Sequence, residues 1–105
     1  MITVRIVSET RDITDASESW ITQSINRRRK DNVSVCVEVV IDTSGANLRL
    51  ATPACATGAS GGGFRPPNAN ERELIDLWNR RGLNSPDFAA GNLVAFLKQV
   101  WKAAA

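Results

Sequence analysis

The chain reads as a single α+β domain spanning residues 1–105: a small, mostly antiparallel sheet in β-α-β-β-α-α order with three helices packed on one face. Three observations predict this. Residues 33–41 and 48–54 alternate apolar and polar positions with a period of two. Three further segments carry apolar residues at helical spacing, each with one tryptophan: Trp20, Trp78 and Trp101. Finally, 105 residues with an apolar fraction of 43% are enough for one hydrophobic core without metal or disulfide staples.

The elements follow in order. Ile2, Val4 and Ile6 alternate with Thr3 and Arg5, the pattern of a half-buried strand. Residues 8–12 are polar and read as a connection that ends in a helix cap, Asp12 or Thr14. From there Ile13, Ala16, Trp20, Ile21, Ser24 and Ile25 form one face of a helix. Asp15 and Glu18 stand early in it and Arg27, Arg28, Arg29 and Lys30 late, which complements the helix dipole. Asp31 and Asn32 end it.

Residues 33–41 place β-branched side chains at every odd position, and residues 48–54 place their apolar set at even positions. A hairpin that pairs odd with even puts both sets on one face. Turns of two or four residues within 42–47 keep that match; a three-residue turn with a Gly45 bulge breaks it. Residues 55–67 hold four glycines and two prolines, so 56–67 is expected to be a flexible loop. Asn68 followed by Glu71 is a capping-box pair. Leu74, Ile75, Leu77 and Trp78 then make a helix face, and Gly82 is a Schellman-type stop. Ser85, Pro86 and Asp87 read as the start of a last helix, with Gly91 and Asn92 as a weak point. That helix carries Leu93, Val94, Phe96, Leu97, Val100 and Trp101. All three tryptophans are expected to be core anchors.

The chain has neither histidine nor tyrosine. Ser-His-Asp and Cys-His catalysis, histidine acid–base chemistry and histidine-containing zinc sites are therefore excluded within it. Two cysteines cannot build a four-sulfur metal site. Glu71 and Glu73 are two apart and cannot share a helix face, and Glu38 and Asp42 are too far apart along a strand for a tight dyad. No catalytic residue, metal or cofactor is assigned.

Several short patterns have weak functional readings. Residues 58–62 match G-x-S-x-G, but a nucleophile elbow runs straight into a helix and needs a base, and neither is present. The G-x-x-G string at 58–61 follows a strand, where a KH domain has it between helices, and no Gly-Lys-Ser/Thr completes a P-loop. The strands lack aromatic residues, which argues against an RRM-like sheet. Arg27, Arg28, Arg29 and Lys30 form the one charge run and are the candidate phosphate-binding residues, since guanidinium groups pair with phosphate oxygens as a fork. No aromatic residue interleaves the run to stack on bases, and the net charge is only +2. Phe64 and Arg65, at the end of the glycine-rich stretch, are the candidate partner-binding pair.

Without a secretory signal or an apolar run long enough to span a bilayer, a cytoplasmic protein with free thiols at Cys36 and Cys55 is expected. A hairpin turning at Gly45 and Ala46 places 36 and 55 opposite each other; one centred a position earlier places Pro53 there instead. The leading functional expectation is a non-catalytic binding module acting through a protein partner or as a homo-oligomer. The alternatives are a nucleic-acid-binding regulator using the basic run and a small enzyme without histidine chemistry.

Overall fold

Backbone pairing in the computed structural model, which describes residues 1–55 and 65–104, gives a four-stranded antiparallel sheet. Its strands are β1 (Ile2–Ile6), β2 (Glu9–Asp12), β3 (Val37–Thr43) and β4 (Ala46–Ala51), in the order β2-β1-β3-β4. The helices are α1 (Glu18–Lys30), α2 (Ala69–Arg80) and α3 (Ala90–Ala104). The α+β class holds, with one strand more than the sequence pattern shows.

That extra strand is β2, where a polar connection is expected. It pairs antiparallel with β1, Ile6 opposite Glu9 and Thr3 opposite Asp12, and has no apolar alternation to announce it. An edge strand needs only backbone pairing on one side and can leave its side chains in water. Val7 and Ser8 make the two-residue turn, with Val7 at a φ of 60°. A β-branched residue rarely adopts that conformation. It is held at both ends: its N–H donates to the Cys36 carbonyl at 2.9 Å and its carbonyl accepts from Arg5 Nη1 at 2.8 Å.

The expected helix from Ile13 is interrupted. Asp12 Oδ1 accepts from the Thr14 N–H at 3.2 Å and caps only a single 3-10 turn, Ile13–Asp15. Ser17 Oγ then accepts from the Trp20 N–H at 3.1 Å and caps α1 itself. Two good caps five residues apart, Asp12 and Ser17, divide what one periodic pattern suggests is continuous.

The β3–β4 hairpin turns at Ser44 and Gly45, with Thr43 opposite Ala46 and Val39 opposite Leu50. Odd and even apolar sets thus share the helix-covered face, as the parity argument requires. Val37, Val39, Ile41, Leu48 and Leu50 are all buried there with Ile2, Val4 and Ile6. The strand begins at Val37 rather than Val33, which is exposed.

The expectation of free thiols is overturned: Cys36 and Cys55 form a disulfide, their Cα atoms 4.7 Å apart. The observed register sets Cys36 level with Pro53, so strand pairing does not bring the cysteines together. The chain after β4 does. Buried Thr52 donates its N–H to the Val37 carbonyl at 3.0 Å, and its Oγ1 accepts from the Val37 N–H at 2.9 Å. The Cys55 N–H then donates to the Thr52 carbonyl at 3.1 Å, closing a turn that folds Cys55 back beside Cys36.

Both ends of α2 match the sequence reading. Asn68 and Glu71 make a reciprocal capping box. At the other end the Leu83 N–H donates to the Trp78 carbonyl and the Gly82 N–H to the Asn79 carbonyl, with Gly82 at a φ of 73°, which is a Schellman motif. α3 starts later than Ser85. The Ser85 hydroxyl caps only a turn, accepting from the Asp87 N–H at 3.3 Å, and that turn drives Phe88 into the core. Gly91 and Asn92 lie in the first turn of α3 and do not break it. The core centre is Trp78 against Phe96, edge to face at 5.2 Å between ring centroids.

Candidate binding groove

Trp20 and Trp78 are buried core residues; Trp101 is not. Its indole is 49% exposed, which corrects the expectation that all three anchor the core. The helical pattern groups Trp101 with Val94 and Leu97, at spacings of seven and four. Those two are buried, whereas Trp101 is half-exposed among the described residues.

Trp101 forms one wall of a groove of about 280 Å³ between α3 and the start of α1. Val94 and Leu97 line it from α3, Ile21 from α1, and Ile13 and Ala16 from the 3-10 segment. The helix break at Ala16 therefore shapes the site, because a continuous helix from Ile13 would carry these residues elsewhere. Across the rim Lys98 Nζ meets Glu18 Oε2 at 3.4 Å, both side chains about 70% exposed. The floor is apolar and the rim carries one charge of each sign. Next to it, the Arg11 guanidinium stacks over the Trp20 ring at 4.6 Å, so that neighbouring aromatic is already covered.

The residues singled out from sequence fall in separate places. Phe64 lies outside the described residues, as does most of the expected 56–67 loop. Arg65 is half-exposed and engaged within the chain. Its Nη1 and Nη2 clamp the carboxylate of Glu71 at 2.7 and 2.6 Å, and Glu71 is fully buried. The same carboxylate accepts from the backbone N–H groups of Asn68, at 2.8 Å, and Asn47, at 2.7 Å. These hydrogen bonds, Arg65 foremost, hold the Glu71 carboxyl down to about 2. The cluster ties the start of α2 to the β4 edge, which is a structural task. The capping box foretells the Asn68 half of it; nothing local foretells Asn47 or Arg65.

The basic run is also divided. Arg29 turns inward, donating to the Phe88 carbonyl and stacking over the Phe88 ring at 4.7 Å. Lys30 and Arg27 are exposed, and Arg28 is half-buried against the β1–β2 turn. On the open face of the sheet Arg5 and Arg49 both reach Glu38 Oε2, and this pairing, Arg49 first, lowers the Glu38 carboxyl. Among the described residues no group of three or more His, Cys, Asp or Glu side chains is placed to hold a metal ion. No helix among them is long and apolar enough to cross a membrane. Comparison with family models, with curated proteins and with solved structures finds no match.

Proposed function

We propose that this chain is a non-catalytic protein-binding module, that the groove beside Trp101 is its binding surface, and that the groove's occupant is a second copy of the chain. The half-exposed indole of Trp101 carries the reading. A large aromatic that, among the described residues, neither completes the core nor stacks on a charged neighbour is the kind of residue that anchors interfaces. The absence of histidine and tyrosine leaves few catalytic alternatives within the chain.

The rim supports self-association. A twofold interface must be complementary to itself. Glu18 and Lys98 give the groove one anion and one cation about an apolar floor. Antiparallel approach of two α3 helices lets each copy's Trp101 enter the other's groove, with the Lys98–Glu18 pairs exchanging partners across the axis. The patch is small beside the roughly 800 Å² per partner of a standard interface, so association is weak, with a Kd on the order of 10 μM.

Sedimentation equilibrium over a concentration series tests this. The expected result is a monomer–dimer equilibrium that Trp101→Ala abolishes and Lys98→Glu weakens, with the double variant Glu18→Lys/Lys98→Glu restoring it. A chain that stays monomeric up to about 1 mM, or a dimer indifferent to Trp101→Ala, overturns it.

A further inference from the structure

We propose a second, separate site: the cleft between the β1–β2 turn and the last two turns of α1 binds a single phosphate group through Arg27 and Arg28. The cleft measures about 230 Å³ and brings Ser8, Glu9, Ser24, Arg27 and Arg28 together beside the apolar side of β1. These residues come from two elements that the sequence separates by fifteen positions or more, so only folding assembles them.

Three features point to an oxyanion. Arg27 and Arg28 share the cleft, and among the described residues neither forms a salt bridge, although the charge of Arg27 acts at longer range on Glu9. An anion in the cleft is attracted by both guanidinium groups. Second, Arg28 Nε is buried with no hydrogen-bond partner. A buried donor without an acceptor is costly and uncommon, and an oxygen brought in by a ligand answers it once the Arg28 side chain shifts to open Nε to the cleft. The Nε–Nη edge of arginine matches two oxygens of a phosphate. Third, the Val7 turn that presents Ser8 is held in an unfavourable conformation by hydrogen bonds at both ends. Such over-determined backbone is typical of ligand clamps.

The one carboxylate in the cleft does not oppose this. Glu9 is engaged chiefly by Arg11 Nε at 2.8 Å and more weakly by the charge of Arg27, so among the described residues the cleft with its neighbour carries three cations to one anion. Ser8 and Ser24 supply hydroxyl donors for the remaining oxygens. With Arg29 turned towards Phe88, the site suits one phosphate group rather than a continuous phosphate backbone.

The test is titration of the intact protein with inorganic phosphate, and in parallel with O-phosphoserine, at constant ionic strength. The readout is the Arg28 Nε–Hε resonance in a two-dimensional nitrogen–proton spectrum. A saturating shift with a Kd on the order of 1 mM is expected, weakened roughly tenfold by Arg27→Gln; Arg28→Lys, which keeps the charge but loses the fork and the Nε–Hε group, is followed instead through the Ser8 backbone amide and weakens binding by a similar factor. Arg27 is exposed, so its variant folds even if the Arg28 variant does not. Tighter binding of O-phosphoserine identifies an esterified phosphate as the source; equal or tighter binding of inorganic phosphate identifies the free ion. A resonance that does not move by about 20 mM of either, or that moves equally with chloride, overturns the proposal.

Discussion

Truncating Trp78 and Trp101 to alanine separates a core tryptophan from a surface one. A tryptophan side chain buries about 150–250 Å² when fully enclosed, which at about 25 cal/mol/Å² amounts to about 4–6 kcal/mol. Trp78 is only 1% exposed and also pairs edge to face with Phe96. Its removal opens a sealed cavity, so Trp78→Ala is expected to cost about 3–5 kcal/mol. For a domain of this size that is a large share of a total of about 5–15 kcal/mol. Trp101 leaves 49% of its surface in water, so its ceiling is about half as high. Its site is open to solvent, no sealed cavity forms, and a compact unfolded state lowers the figure further. Trp101→Ala is expected to cost at most about 2 kcal/mol. Urea denaturation followed by far-ultraviolet circular dichroism, at a protein concentration well below the dimer Kd, measures both. Equal costs for the two substitutions would refute the division into core and surface tryptophans, and with it the binding reading of Trp101.

Three further outcomes are expected. The Glu71 carboxyl titrates at about 2 against an ordinary 4.5, so its contribution to stability is complete above about pH 4.5 and is lost as pH falls towards 2. Glu71→Gln should therefore be less stable at neutral pH, and the gap to the unsubstituted protein should close over that window; a gap constant from pH 7 to 2 refutes the argument. The Cys36–Cys55 bridge closes a loop with a sequence separation of 19. Cys36→Ala/Cys55→Ala is expected to lose about 3 kcal/mol, and the untreated protein should show no titratable thiol. Gly82→Ala meets no atom within 4 Å, so any cost comes from its φ of 73°. Thermal unfolding should place it at about 1–2 kcal/mol, and no loss at all would contradict the Schellman assignment.

The features legible in the residues alone are local or periodic. The parity of residues 33–41 against 48–54 required Val39 and Leu50 to share a face, and they do. Asn68 with Glu71 and the stop at Gly82 marked both ends of α2, because capping groups act within a few residues of the backbone they satisfy. Tertiary structure decided everything that depends on distant partners. β2 exists because β1 offers a pairing edge, and no hydrophobic period records that. The disulfide exists because Thr52 folds the chain back on Val37, in a register that by itself sets Cys36 level with Pro53. Arg65 and Glu71 are bound to each other and to Asn47 across separate elements, so a pair of charges that looks free in the chain is committed in the fold. The same holds for the candidate sites. Helical spacing assigned Trp101 to an apolar face, but whether anything covers that face depends on how the neighbouring elements pack along α3, and among the described residues the indole stays half-exposed.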